Sequence, residues 1–279
     1  MRSRRPLRII LGGLLIALAW PGAAQQAQID WRVIEPGLEL AEIASPVASK
    51  VGDSRITVLR IDPARFALKL LAAKELGGAR MTARQWAGKY GLVAAINAGM
   101  YQEDGLTSVG YMRNFDRVNN GHINPNQAVL AFNRKTGAVP EAQIIDRTCQ
   151  DFAALRHSYD TLVQSIRMVS CGQKNVWDPQ ARSWSMAAVA VDKAGRVLFV
   201  ISRSPFTVHD FINILLALPL DIHNAMYLEG GPKASLYVSA NGAEIEKIGR
   251  FETIFLESDT NAPALPLPNV IGVVRKPSG

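Results

Sequence analysis

The chain has 279 residues, of which 48% are hydrophobic, and 31 basic against 24 acidic side chains give it a net charge of +7. Arg2, Arg4, Arg5 and Arg8 account for four of these charges, so the chain beyond its first eight residues carries only +3. So mild an excess, with no dense basic run, excludes nucleic acid as the expected partner, and the hydrophobic content is ample for a packed core.

The N-terminus has the three parts of a secretory signal peptide. The four arginines precede an apolar run over residues 9–20, which is too short to span a bilayer comfortably, and small residues follow at 21–24. We therefore predict a bacterial Sec-type signal peptide over residues 1–24, a periplasmic or secreted location, and no stable membrane span after cleavage. An uncleaved N-terminal anchor is the alternative interpretation.

The chain contains two cysteines, Cys149 and Cys171. In the oxidising compartment to which a signal peptide leads, a disulfide between them is expected, with free buried thiols as the alternative. Their separation along the chain excludes a Cys-x-x-Cys redox or zinc motif.

Strands are the first predicted elements after the leader. Residues 38–43, 55–61 and 66–72 have the apolar pattern of strands, and Asp62-Pro63 marks a turn between the last two. That pair is therefore predicted to form a hairpin.

A short helix and a buried strand come next. Thr82 and Gln85 form a capping box for the helix, and Gly91 ends it. Residues 92–96 are a fully apolar run of strand length that stops at Asn97.

The second half of the chain continues the strand series and contains the clearest helix. Strands are predicted over residues 127–132, 142–145, 162–169, 186–192 and 196–202, with hairpin turns at 133–137 and 192–195. Apolar residues at helical spacing over 208–218, a capping box from Thr207 and a stop at Pro219 predict the helix. Many strands and few helices indicate an α+β fold, with a mixed, largely antiparallel sheet and a few packing helices in a single domain.

The mature chain shows no linker that would divide it. We assign residues 25–78 to N-terminal strands that pack on the main domain, residues 79–256 to that main domain, and residues 257–279 to an extended C-terminal tail. The proline-rich stretch at 262–268 is expected to lie as a strap over the surface.

Two segments share one pattern, in which an apolar strand ends in a polar residue and is followed by glycine or alanine. Asn97 is followed by Ala98-Gly99, and Glu229 is followed by Gly230 and Gly231. Glycines let backbone amides or a ligand approach closely, so strand ends of this kind suit a ligand cleft. The alternative for each segment is a tight turn with an incidental polar residue.

These two segments resemble the motifs of the phosphodiester glycosidase family. The run from Asn97 to Tyr101 looks like that family's Asn-Gly-Gly-aromatic-aromatic motif, and the run from Tyr227 to Gly231 looks like its Leu-Asp-Gly-Gly motif. The helix over residues 207–218 also lies where the family has one. The resemblance covers roughly residues 79–256 and implies hydrolysis of the bond between a sugar's anomeric carbon and a phosphate oxygen.

The resemblance implies roles for the motif residues. Glu229 would be the chemical carboxylate, and Asn97 would hold a sugar hydroxyl or the attacking water. Gly99, Tyr101, Gly230 and Gly231 would contact the substrate, with backbone amides holding the phosphate. The expected partner is accordingly a carbohydrate or a glycan phosphodiester.

This chain departs from the family pattern in two ways. The family usually has aspartate where Glu229 stands, and glutamate adds a methylene group. It also usually has an arginine just before the strand that begins at Trp184, where this chain has none. Arg182 is the nearby substitute, and Arg113 and Arg203 are other candidate phosphate contacts. His209 is a candidate hydrogen-bond donor to the phosphate or a candidate acid–base group.

Cofactors and the main alternatives complete the predictions. No cofactor is expected, because the four histidines are scattered without HxH or HExxH spacing and no EF-hand-like loop occurs, although a divalent metal on acidic residues remains open. The first alternative function is a non-catalytic carbohydrate-binding or envelope-assembly protein on the same fold. The second is a structural envelope partner with a large exposed apolar patch.

Overall fold

The computed structural model describes residues 28–251 and 263–277. The predicted signal peptide therefore lies outside the described residues. Within them, no helix has the length and apolar character needed to cross a membrane.

Strands dominate the described part of the chain. The strands are β1 (Arg32–Glu35), β2 (Leu38–Ala44), β3 (Arg55–Ile61), β4 (Phe66–Ala72), β5 (Ala94–Asn97), β6 (Met112–Asn114), β7 (Arg117–Asn120), β8 (Ala128–Arg134), β9 (Ala142–Asp146), β10 (Tyr159–Ser165), β11 (Arg167–Val169), β12 (Trp184–Asp192), β13 (Val197–Phe206), β14 (Ile222–Gly230), β15 (Ser235–Ala240), β16 (Ala243–Ile248) and β17 (Asn269–Arg275). The α-helices are α1 (Ala83–Tyr90), α2 (Phe152–Leu155) and α3 (Val208–Ala217).

The strands form three sheets. Sheet I has the order β1-β2-β3-β13-β12-β14-β11, sheet II the order β7-β6-β10-β8-β9, and sheet III the order β16-β15-β5-β17-β4. Every strand pairing among the described residues is antiparallel. The α+β class and the largely antiparallel pairing are thus confirmed.

One apolar core is shared by the inner faces of the three sheets. It includes Phe199 and Met226 from sheet I, Leu130 from sheet II, and Ile96 and Ile271 from sheet III, each at most 1% exposed. Helix α3 packs on the outer face of sheet I, and α1 packs on the outer face of sheet III. Because burial of this apolar surface drives folding, the sheets are held as one body.

The predicted helix ends are confirmed. Thr82 and Gln85 make both hydrogen bonds of a capping box at the start of α1, and Gly91 ends that helix with a left-handed φ of 64°. At α3, Thr207 Oγ1 accepts a hydrogen bond from the backbone amide of Asp210, which is one of the two bonds of the predicted capping box. Local side-chain chemistry at these ends is sufficient to place them without knowledge of the fold.

Two predicted local pairings are wrong. Strands β3 and β4 do not form a hairpin: β3 pairs with β2 and β13 in sheet I, whereas β4 pairs with β17 in sheet III. The predicted strand over residues 162–169 is two strands, because the chain leaves sheet II at the end of β10 and enters sheet I as β11. A continuous apolar pattern does not reveal that a chain changes sheets.

The segment assigned to an extended tail contributes a core strand. Strand β17 lies between β4 and β5 in sheet III, and Val270, Ile271 and Val273 are fully buried. The N-terminal strands are likewise integral, since β1–β3 extend sheet I. Strand β17, together with β15 on the other side, flanks β5 and so fixes the position of Asn97 at its end.

Candidate functional site

The two strand-end segments meet in the structure. After Glu229 the chain leaves sheet I through a short 3-10 turn (Gly231–Lys233) and continues as β15, which pairs with β5. The backbone amide of Ser235 donates to Asn97 Oδ1 at 3.1 Å. A Cβ built on Gly99 would lie 3.9 Å from the carbonyl oxygen of Leu228. The two segments therefore lie next to each other in the structure.

A β-bulge turns the Glu229 side chain toward this meeting point. In the ladder with β12, Ala188 pairs with Tyr227 and Ala187 pairs with Glu229, so Leu228 is the extra residue. Directly paired residues share a face, and Ala187 belongs to the core between the sheets whereas Ala188 packs under α3. Glu229 therefore projects from the inner face, which the regular alternation from Tyr227 would not allow.

The glycines after both polar residues are required by geometry. Gly99 has a φ of +110° and Gly231 a φ of +59°, which lie in the region that favours glycine. A Cβ on Gly230 would lie 2.3 Å from Trp184 Cδ1 and 2.4 Å from Tyr227 Oη. The backbone at Gly230 is thus packed directly against two aromatic side chains.

Buried polar atoms cluster at the end of sheet III. Asn97, Ser235 and Asn269 are each 2% exposed and lie on the neighbouring strands β5, β15 and β17. Within the described chain, Asn97 Nδ2, Ser235 Oγ and both side-chain polar atoms of Asn269 lack a hydrogen-bond partner. Buried polar atoms are nearly always paired, so this cluster sets the edge apart from the rest of the core. The sequence analysis did not single out Ser235 or Asn269 as site residues.

Two arginines, Arg203 and Arg250, belong to chain segments beside the same edge. Arg203 Nε donates to the carbonyl oxygen of Ile248, the residue that pairs with Ser235. Arg250 is 9% exposed, its Nε has no hydrogen-bond partner, and its backbone amide donates to Ser185 Oγ at 3.0 Å. Arg203 was predicted as a phosphate contact and is placed here; Arg250 was missed, because nothing in its local sequence marks it.

Lys233 is a further cation that the sequence analysis missed. Its Nζ lies 4.5 Å from the centroid of the Tyr101 ring, so the loops after Asn97 and after Glu229 contact each other through this pair. Its place in the sequence, two residues after the second glycine, is the signal that could have found it. Its contact with Tyr101, however, depends on the tertiary structure.

Three predicted contacts lie away from this edge. Arg113 on β6 donates to the carbonyl oxygens of Arg156 and Tyr159, at 3.1 and 2.5 Å, in sheet II. Arg182 is exposed and lines a cleft on the outer side of sheet I, beside Trp184. His209 Nδ1 lies 2.5 Å from the carbonyl oxygen of Trp177, in the first turn of α3. The structure brings none of these three to the Asn97–Glu229 meeting point.

Asp104, which follows Tyr101 closely, is engaged in its own loop. Its carboxylate accepts hydrogen bonds from Thr107 Oγ1 and from the amides of Leu106 and Thr107. These bonds, chiefly the one from the Thr107 hydroxyl, lower the pKa of Asp104 to about 2. The group therefore stabilises a turn.

The disulfide between Cys149 and Cys171 is present, as predicted. Beside it, the Asp146 carboxylate is 1% exposed, pairs with Arg167 and accepts a hydrogen bond from the amide of Cys171. Burial raises the pKa of Asp146, but hydrogen bonds from Thr148, Cys171 and Arg167 outweigh it and the pKa is lowered.

Asp146, Cys149 and Cys171 form the one group of metal-ligating side chains among the described residues. Its two sulfurs are joined to each other, so the group does not offer a thiolate site. The expectation that the function needs no cofactor stays a prediction.

Comparisons with known proteins place this arrangement in context. The family model of the phosphodiester glycosidases matches residues 90–274, more than half of the chain. The catalytic domain of zebrafish N-acetylglucosamine-1-phosphodiester alpha-N-acetylglucosaminidase, auto-inhibited by its pro-peptide, superposes with a TM-score of 0.62 at 12% identity, over 86% of this chain and 84% of that one.

A hypothetical protein from Synechocystis superposes with a TM-score of 0.59 at 14% identity, over 91% of this chain and 65% of that one. At such identities the likeness is one of fold. No curated protein sequence matched the chain.

Proposed function

The chain belongs to the phosphodiester glycosidase family, and from this premise we propose that it is an exported hydrolase that cleaves a sugar–phosphate diester or related glycosidic linkage in envelope or extracellular glycans. The observation that carries the proposal is the convergence of the Glu229 and Asn97 segments, with Arg203, Arg250 and Lys233 around them.

The arrangement suits the chemistry of this bond. Water adds to the anomeric carbon while the bond from that carbon to the phosphate oxygen breaks, and the phosphomonoester leaves with the oxygen. Because the departing phosphomonoester is already a good leaving group, little general-acid help is needed. A carboxylate such as Glu229 stabilises positive charge at the anomeric carbon or orients the water, and cations hold the phosphate.

Asn97 acts in this proposal by holding the edge in shape, because the backbone amide of Ser235 donates to its Oδ1. Its Nδ2 group is buried and has no partner within the described chain, so the predicted contact with a sugar hydroxyl or a water stays a prediction. The predicted roles of Arg182 and His209 are not needed at this edge.

Two further points support the substrate and the location that we propose. The zebrafish relative is named for an N-acetylglucosamine 1-phosphodiester, and we take this sugar as the first substrate to test. A disulfide persists in oxidising compartments, which supports a periplasmic or secreted location together with the signal peptide predicted from residues 1–24.

The decisive test is the replacement Glu229→Gln. We expect kcat/KM for an alkyl N-acetylglucosamine 1-phosphodiester to fall by about 10³-fold, because the amide cannot balance charge at the anomeric carbon. Free sugar is measured by chromatography. Glu103→Gln is the control, because Glu103 is an exposed carboxylate in the loop after Tyr101. Hydrolysis that survives Glu229→Gln would contradict the proposal.

The second candidate is a carbohydrate-binding or envelope-assembly protein without turnover. The observation that favours it is the glutamate at position 229, whose extra methylene shifts the carboxyl group by about an ångström. Saturable binding of the phosphodiester to wild-type protein with no release of sugar would identify this function instead.

A further inference from the structure

A cleft lies on the outer side of sheet I, beside the edge strand β11 and the start of β12. It has a volume of about 850 Å³, and its walls include Trp177 and Trp184 together with Arg167, Arg182, Asn126 and Gln127. Apolar walls with a few convergent polar groups are the usual composition of a small-molecule site. None of the chemistry proposed for Glu229 uses this cleft.

The cleft adjoins the Glu229 site through one residue. Trp184 forms part of its wall and also packs against Gly230, where an added Cβ would meet the indole at 2.3 Å from Cδ1. Gly230 follows Glu229 directly in β14. A molecule that reaches the inner face near Glu229 and extends around the end of β14 would therefore enter the cleft.

The Trp177 wall is held rigidly. Its indole Nε1 donates to the carbonyl oxygen of Arg167 at 2.7 Å, and its backbone amide donates to Asn175 Oδ1 at 3.0 Å. Its carbonyl oxygen lies 2.5 Å from His209 Nδ1, and its ring lies 6.1 Å from that of Tyr227. Because this aromatic side chain is already ordered, it loses little conformational entropy when a ligand binds.

The side chains of the cleft favour a sugar ring. A pyranose presents an apolar C–H face, which packs on an indole, and a rim of hydroxyl groups, which the exposed Arg182 and the amides of Asn126 and Gln127 can bind. We propose that the Trp177–Trp184 cleft is a carbohydrate subsite for a pyranose ring of the glycan that carries the scissile bond. The identity of that glycan rests on the proposed function.

Calorimetric titration with N-acetylchitotriose tests the subsite. The wild-type protein is expected to bind with a millimolar or lower Kd. Trp177→Leu should raise Kd about tenfold, because the stacking surface is lost, and Arg182→Ala should raise it several-fold. The same variants should raise KM of the phosphodiester with little change in kcat. Maltotriose binding that is equally sensitive to Trp177→Leu would support the subsite as well.

Matched controls guard against an effect on folding. Trp31→Leu removes an indole that stacks on Arg60 and also packs on the outer face of sheet I, and Arg32→Ala removes an exposed arginine of β1. Both should leave Kd unchanged, and near-ultraviolet circular dichroism should show that all variants are folded. An equal loss in Trp31→Leu, or no saturable heat with either sugar at about 10 mM, would overturn the proposal.

The outcome separates the subsite from the catalytic proposal. Binding is also measured in Glu229→Gln, which should bind the sugar as the wild type does. If Trp177-dependent binding occurs without hydrolysis, the proposed function is wrong and the subsite stands. If hydrolysis occurs and Trp177→Leu changes neither Kd nor KM, the subsite is wrong.

Discussion

The strand ends at Asn97 and at Glu229 follow the same pattern in the sequence but differ in burial in the fold. Asn97 is 2% exposed, and its side-chain oxygen is taken up by the amide of Ser235. Glu229 is partly exposed and is turned by a bulge toward the inner face. The comparison shows that one polar strand end is built into the scaffold, whereas the other keeps its carboxyl group partly exposed.

The difference follows from where each strand ends. Strand β5 lies in the middle of sheet III, so its end is enclosed by β15 and β17. Strand β14 ends where the chain crosses from sheet I to sheet III, over backbone that only glycine tolerates at Gly231. The carboxylate at this crossing is accordingly partly exposed, whereas the amide at the central strand end is buried.

The largest effect is expected at Asp146, which is the most completely buried carboxylate near the disulfide. Asp146→Asn should lower the free energy of unfolding by about 3 kcal/mol, because it leaves the Arg167 charge in place without its partner. Urea denaturation measures this, and Asp116→Asn, at an exposed hairpin tip, is the control.

The pH dependence of the same group has a defined sign. Because the pKa of Asp146 is lowered in the folded state, its stabilisation is present above its ordinary pKa near 4 and is lost as pH falls through the lowered value. Asp146→Asn should therefore flatten the loss of stability between neutral and acidic pH. If Asp146→Asn left the pH dependence of the free energy of unfolding unchanged, the Asp146 carboxylate would not be the group whose stabilisation is lost in acid.

The next effect tests the presentation of Glu229. Glu229→Asp should lower kcat/KM by about 100-fold with little change in stability, because retracting the carboxyl by one methylene misplaces it relative to the bulged strand. Glu39→Asp, a partly buried carboxylate of β2 paired with Arg60, is the control. Full activity in Glu229→Asp would mean that the bulge does not set the reach of the carboxylate.

Replacement of Asn97 should show the reverse pattern. Asn97→Ala should lower the free energy of unfolding by about 2 kcal/mol, because the buried amide of Ser235 loses its acceptor. Thermal and urea unfolding measure the loss, with Asn213→Ala on the exposed face of α3 as the control. If Asn97→Ala reduced activity without reducing stability, the contrast between the two strand ends would fail.

The smallest effect is expected at Lys233, which joins the two loops. Lys233→Met should raise KM of the phosphodiester about tenfold, because one charge-assisted contact to phosphate is lost while the methionine still covers Tyr101. Lys89→Met is the matched control, since Lys89 lies over Tyr90 on α1 in the same manner. An equal change in both variants would point to a general charge effect.

Much of the scaffold and the two candidate site segments were predictable from the sequence. The ends of α1, the hairpin of β12 and β13 and most strand positions follow from capping residues, turns and apolar periodicity. The motif glycines lie where the backbone has a positive φ or packs directly against aromatic side chains, and a ligand contact there stays a prediction. The arginines at 113 and 182 were chosen for their charge alone, and charge does not specify a face.

By itself, the sequence determined the helix starts, many of the strands, the disulfide partners and the two polar strand ends, because these depend on local chemistry and on the presence of only two cysteines. Only the tertiary structure decided that β3 and β4 separate, that β17 closes sheet III, and that Arg203, Arg250 and Lys233 surround one edge. These features arise from pairings between residues far apart in the chain, and no local pattern records which sheet a strand joins or which face a bulge exposes.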